Sequence, residues 1–225
     1  MDNLSKEYII DFFSKKLSLF GNAPASVGWT AEGQRLRYEC IISLLPLQGS
    51  SVLDFGCGKG DFYGFIRQKG IEADYTGIDI NKKLIEVAAG NYREGRFLAL
   101  DIDSEELTET FDYIILCGVF NLNTQRVKES AETIIGKLFH HTRKTLLFNC
   151  LSAHSRTKDT NLVYFDPVEV LSTALKNTKS VNLYHSHIAG DIFLLLNKEL
   201  NALQPSGAYY GDNQPDAEQK GKTES

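Results

Sequence analysis

The stretch Val52-Leu53-Asp54-Phe55-Gly56-Cys57-Gly58-Lys59-Gly60-Asp61-Phe62 decides how this chain is read. It opens as an apolar run of strand character, Ser51 to Phe55, and then places glycine at alternate positions 56, 58 and 60. Phe62, Phe65 and Ile66 follow with helical spacing. The pattern predicts strand, tight glycine turn, helix. Glycine allows backbone angles closed to other residues and lets a ligand approach the main chain. The helix offers free N–H groups at its first turn. Asp54 ends the strand, and a carboxylate there suits a cationic ligand better than a pyrophosphate.

The same rhythm extends downstream. Strands are predicted at 51–55, 74–80, 96–101, 111–117 and 145–150, with helices at about 61–69, 82–91, 124–140 and 167–176. Tyr113 to Leu116 is nearly all apolar, as a central strand buried on both faces requires. Ser180 to His187 and Asp191 to Asn197 are strand-like and joined by a short turn, so they must pair antiparallel. Upstream, Leu4 to Phe20 and Ala31 to Leu45 carry helical periodicity, with Thr30 placed to cap the second. Three parts follow: a helical cover or lid at 1–49, an α/β core at 50–200, and a tail at 204–225 whose Gly, Pro and polar content predicts disorder.

Composition narrows the function. The 225 residues suit one ordinary domain, and 42% hydrophobic with 24% charged residues is a soluble composition. A net charge of −5 gives no footprint for nucleic acid. No apolar run approaches the roughly 20 residues that span a bilayer, and the start carries no secretory signal pattern. Cys40, Cys57, Cys117 and Cys150 are scattered, which predicts reduced thiols, a cytoplasmic location and no metal site.

Taken together, the motifs resemble class I S-adenosylmethionine-dependent methyltransferases of the small-molecule type, over about residues 50–198. Val52 to Gly60 looks like that family's glycine-rich first motif. Gly77-Ile78-Asp79-Ile80 looks like its acidic second-strand end, Phe97 to Ile102 its third-strand aspartate, and Phe111-Asp112-Tyr113-Ile114-Ile115 its fourth strand. The terminal hairpin is a further mark. The resemblance implies a Rossmann-like seven-stranded mixed sheet of order 3-2-1-4-5-7-6, with helices on both faces and the last strand antiparallel. It implies S-adenosyl-L-methionine as cofactor, S-adenosyl-L-homocysteine as product, and a small-molecule acceptor, in a monomer or homodimer.

On that resemblance, Gly56, Cys57 and Gly58 lie along the methionyl portion, and Asp54 faces its ammonium. Asp79, 25 positions after Asp54, accepts the ribose hydroxyls. Asp101 accepts from the adenine amino group, Ile80 and Ile102 sandwich the ring, and Cys117 and Gly118 offer backbone carbonyls. Each aspartate has a plainer rival: a turn former at Asp54, a helix cap at Asp79, a solvated strand end at Asp101. In the cover, Trp29 can pack on the ligand and an arginine such as Arg37 can pair with its carboxylate; a core tryptophan and a surface arginine are equally consistent.

Acceptor-side candidates follow the fourth and fifth strands: Phe120, Asn121, Tyr164 and His185 for substrate binding, with His154 as general base. A lone histidine is more often structural. Two alternatives stay open: a non-methylating S-adenosylmethionine-binding protein, and a cyclase on the same fold. A nicotinamide oxidoreductase fits less well, because Asp61 stands where its fingerprint needs a third glycine.

Overall fold

The structure, a computed structural model, describes residues 1–185 and 187–198. The tail expected at 204–225 lies outside the described residues.

Two N-terminal helices, α1 (Asn3–Phe20) and α2 (Ala31–Leu44), flank a 3-10 turn at Pro24–Val27. Then come β1 (Ser51–Phe55), α3 (Asp61–Gln68), β2 (Asp74–Asp79), α4 (Lys82–Asn91), β3 (Arg96–Ala99), β4 (Phe111–Cys117), α5 (Val127–His140), β5 (Thr142–Leu151), α6 (Pro167–Leu175), β6 (Val181–Tyr184) and β7 (Asp191–Asn197). The strands form one seven-stranded sheet in the order 3-2-1-4-5-7-6. β1, β2, β3, β4 and β5 run parallel, and β7 is antiparallel to both β5 and β6.

Side-chain alternation builds the two core layers. Leu53, Ile114, Leu116, Leu146 and Phe148 join α5 residues such as Ile134 and Leu138 on one face. Val52, Tyr113, Ile115 and Leu147 join Ile41 of α2 and Phe62 and Ile66 of α3 on the other. Both faces are covered, so the central strands are predominantly apolar. Ile66 is fully buried; truncation to alanine there costs about 2–5 kcal/mol.

The caps follow from the sequence. Thr30 Oγ1 accepts from Gly33 N at 3.0 Å and starts α2. Asn81 Oδ1 accepts from Lys83 N and Leu84 N and starts α4. The Asn81 amide also donates to Ile10 O at 3.0 Å, which fastens α1 to the start of α4. The outer face of α1 is open to solvent: Leu4 and Leu19 are 77% and 76% exposed.

Four boundaries differ from expectation by two residues or more. β3 stops at Ala99, because Asp101 folds its carboxylate back onto Asp103 N (3.0 Å) and Ser104 Oγ (3.0 Å). α5 begins three residues late, after Arg126 takes a positive φ of 54°. β5 begins three residues early, at Thr142, which pairs with Phe111 before the register shifts by one residue, Arg143 and Lys144 lying opposite Asp112 of β4. β6 is shorter than its alternating sequence suggests.

Candidate functional site

Sheet order reverses between β1 and β4, and open parallel sheets bind ligands beyond their strands' carboxyl ends at such a point. A cavity lies there. β1 and its turn supply Asp54, Phe55, Gly56, Cys57 and Gly58; β2 supplies Ile78, Asp79 and Ile80; the segment after β3 supplies Asp101, Ile102 and Asp103; β4 and its turn supply Cys117, Gly118, Val119 and Phe120. Lys6, Ile9 and Phe13 of α1, with Val27, Trp29 and Tyr38, line the side formed by the N-terminal segment.

The turn after β1 is built for close approach. Gly56 has φ +75°, and a Cβ there would lie 2.7 Å from the Val119 side chain. Gly58, at φ +57°, donates its N–H to Asp79 Oδ2 at 2.9 Å. Asp79 Oδ1 accepts from Asn81 N at 2.8 Å. The carboxylate is therefore oriented by two backbone amides, and each oxygen keeps a free lone pair. Burial pushes the Asp79 pKa up, while bonds from the Asn81 and Gly58 amides pull it down.

Asp54 is only 5% exposed. The Tyr75 hydroxyl donates to its Oδ2 at 2.6 Å. Burial pushes its pKa up to about 7, against the pull of the Tyr75 bond, and the Asp79 and Asp61 charges add to the rise. Asp61, the first residue of α3, holds the buried Lys59 ammonium (2.6 Å) and the Gln34 amide (2.9 Å). Asp101 and Asp103 hold Lys6, at 2.8 and 3.1 Å. Burial alone would raise the Asp101 pKa, but Lys6 and the Asp103 amide outweigh it and the net shift is downward.

Of the expected residues, Trp29, Asp54, Gly56, Cys57, Gly58, Asp79, Ile80, Asp101, Ile102, Cys117, Gly118 and Phe120 share this one cavity. Arg37, Asn121, Tyr164, His154 and His185 are not among its lining residues. His185 Nε2 meets Ser152 Oγ at 2.7 Å, the same oxygen accepts from His154 N at 3.0 Å, and the two imidazoles stand 5.9 Å apart. Tyr164 accepts from Asp159 N at 2.8 Å. Arg37 pairs with Asp191 rather than facing the cavity.

Sequence reasoning missed Lys6, Tyr38 and Val27 as lining residues. Their helical or loop context carries no motif. Tyr38 packs between Phe62 (5.1 Å) and Trp29 (6.2 Å), and burial holds its hydroxyl protonated, well above the usual range. Among the described residues there is no group of three metal-ligating side chains and no helix long and apolar enough to cross a membrane.

The sheet order and the glycine-and-carboxylate crevice together define a methyltransferase of the S-adenosylmethionine-dependent class. The family model described as "Methyltransferase domain" matches residues 47–193, and the chain belongs to that family. A curated Mycobacterium tuberculosis protein, whose name assigns it provisionally to the methyltransferases, is 29% identical over 156 residues, 66% of this chain and 93% of the relative. The magnesium protoporphyrin IX methyltransferase of Synechocystis, solved with S-adenosylhomocysteine, has a TM-score of 0.63 at 16% identity over 87% of this chain and 100% of its own. A plantazolicin methyltransferase solved with a substrate analogue and S-adenosylhomocysteine has a TM-score of 0.62 at 16% identity, over 88% of this chain and 100% of its own. At that identity the likeness is one of fold.

A second structure of the Synechocystis enzyme was solved with S-adenosylmethionine bound. The cavity of this chain suits that ligand on chemical grounds. Five aspartates, at 54, 61, 79, 101 and 103, line it against Lys6 and the N-terminal ammonium of Met1. Asp61, Asp101 and Asp103 are already ion-paired, and Asp54 and Asp79 are the lining carboxylates without a cation in the described residues. Such a lining favours a cationic ligand and opposes a pyrophosphate. The side chains missing at Gly56 and Gly58 let Val119 and Val27, two lining residues, pack directly against the turn.

Proposed function

We propose that the enzyme methylates a small-molecule acceptor, a metabolite or natural product, by in-line transfer. The observation that carries this reading is the single cavity that joins the glycine turn, Asp79 and Asp101 to an apolar wall of Phe13, Val27, Trp29, Val119 and Phe120. Two of the similar structures are named for small acceptors, a porphyrin and a peptide natural product, and this supports the choice.

When bound, S-adenosylmethionine supplies a methyl group on a positively charged sulfur that leaves without covalent help. Asp79 accepts from the ribose hydroxyls, its direction fixed by Gly58 and Asn81. Ile80 and Ile102 flank the adenine, and Asp101 accepts from its amino group while sharing Lys6. Asp54, ionised, faces the ammonium. Cys117 and Gly118 present main-chain carbonyls, and Trp29, Tyr38 and Phe120 exclude water. Holding acceptor and methyl at attack distance supplies most of the acceleration, since effective molarities for aligned groups reach about 10⁵–10⁸ M. Residues 1–49 act as a lid on the core at 50–200. Four free cysteines accord with a cytoplasmic enzyme.

Neither His154 nor His185 lines the cavity, so neither is assigned as base at the transfer point. The acceptor therefore brings its own lone pair, or sheds its proton to water. Incubating the enzyme with methyl-labelled S-adenosylmethionine and a fractionated cell extract tests the proposal. Label is expected in the low-molecular-weight fraction. Label found only in protein or nucleic acid refutes the small-acceptor reading, and no label anywhere favours a non-methylating protein or a cyclase.

A further inference from the structure

Arg37 has an unusual set of partners for a residue of a covering helix. Its Nε and Nη2 donate to Asp191 at 2.6 and 2.7 Å, and its Nη1 donates to Gly33 O at 3.1 Å. Its guanidinium stacks over the Trp29 ring at 4.6 Å. Asp191, at the start of β7, is 1% exposed, and it also accepts from Asn149 Nδ2 of β5 at 3.0 Å. Asn149 in turn accepts from the Cys117 thiol at 3.6 Å, at the end of β4. Beside it, Gly118 has no Cβ, and one built there would lie 2.6 Å from the Trp29 indole.

We propose that Arg37 and Asp191 form an internal clamp that seats Trp29 against Gly118 as a wall of the cavity, so that Arg37 is a positioning residue and contacts no ligand. The physical grounds are direct. A buried carboxylate needs its cation, because removing one partner of a buried pair leaves an uncompensated charge. The planar fork matches a carboxylate with two parallel bonds and leaves its face free to stack on an aromatic ring. All three guanidinium nitrogens already have partners inside the protein. The clamp spans α2, β5 and β7, and the position of Trp29 is thereby set by the sheet rather than by α1. The inference rests on the reading that the cavity holds the methyl donor.

Trp29 is the chain's one tryptophan, so its fluorescence reports this wall alone. The experiment compares wild type with Arg37→Met, Asp191→Asn and the double variant, by acrylamide quenching without ligand and by calorimetric titration with S-adenosylhomocysteine. Loosening the wall is expected to raise Trp29 quenching roughly twofold or more in all three variants. Affinity for S-adenosylhomocysteine is expected to fall by similar factors, within about threefold of one another, since all remove the same clamp. A ligand-binding arginine gives the opposite pattern. Arg37→Met would then weaken binding by about tenfold or more, while Asp191→Asn, which frees Arg37, would leave it unchanged or tighter. That pattern, or quenching at the wild-type value in Asp191→Asn, overturns the proposal. If a single variant fails to fold, the double variant decides, because it removes both buried charges together. Wild type that binds no S-adenosylhomocysteine defeats the functional reading, whereas the ligand-free quenching still decides the clamp.

Discussion

Gly58 and Asp79 are joined by a single hydrogen bond, from the Gly58 amide to Asp79 Oδ2 at 2.9 Å, which ties the glycine turn of β1 to the end of β2. The second carboxylate oxygen takes the Asn81 amide at 2.8 Å. An asparagine at 79 can accept from only one of these donors, because its other terminal atom is an NH₂ group. Asp79→Asn is expected to lower unfolding stability by about 1–3 kcal/mol, through an amide left without an acceptor. Urea denaturation measures it. An unchanged midpoint and slope would show that the two bonds do not hold the turn.

Asp54 makes stability depend on pH. Its folded pKa, about 7, lies above the 3.8 of an ordinary aspartate. The folded protein therefore binds more protons than the unfolded chain between these values, and Asp54 lowers stability as pH rises through that window. The penalty is complete above about pH 7 and on the order of 4 kcal/mol there. Asp54→Asn is expected to raise the melting temperature of the ligand-free enzyme at pH 8 and to change it little at pH 4. Equal effects at both pH values would contradict the assignment.

The same ionisation acts in the opposite direction on ligand binding. The ionised form of Asp54 favours the ligand's ammonium, so affinity for S-adenosylhomocysteine is expected to rise as pH increases through about 7 and to level off about one unit above it. Calorimetry across that range, with Asp54→Asn as the flat control, checks the sign.

Gly56 is constrained twice, by φ +75° and by Val119 at 2.7 Å from a Cβ position. Gly56→Ala is expected to cost about 1–2 kcal/mol for the backbone conformation, plus a packing penalty. Adding Val119→Ala should recover the packing part only. Full recovery would mean that the backbone conformation is not strained.

Lys6 ties α1 to the segment after β3 through Asp101 and Asp103. Lys6→Met is expected to quicken proteolysis within α1 by several-fold while leaving the core's melting temperature nearly unchanged. Limited digestion followed by mass analysis reads the cut sites. Cleavage at the wild-type rate would show that Lys6 does not hold the helix.

The sheet was largely legible because burial on both faces writes itself into sequence. β1, β4 and β7 have the bounds expected from the apolar runs at their centres. β5 was misjudged at its start, since Arg143 and Lys144 are polar and exposed while their backbones already run in the strand. The glycine turn and the aspartates at strand ends could be placed in one crevice because strand ends converge at the reversal of sheet order. Lys6 and Tyr38 could not, because a helix residue's approach to a cavity depends on how the helix sits, which no local pattern records. Arg37 is the sharpest example. Its place in the cover helix was readable, but its partner Asp191 lies 154 positions away. His154 and His185 show the converse: their residue type suggested chemistry, whereas the fold sets both beside Ser152, away from the cavity lining.

The central claim is that this crevice holds the methyl donor, and calorimetric titration of the purified chain with S-adenosylhomocysteine tests it most directly. One saturable site per chain is predicted. Asp79→Ala should weaken binding by about tenfold or more, a loss of roughly 1.4 kcal/mol or greater, and NAD should give no heat under the same conditions. No binding of S-adenosylhomocysteine at millimolar concentration, or equal binding by wild type and Asp79→Ala, would contradict the account.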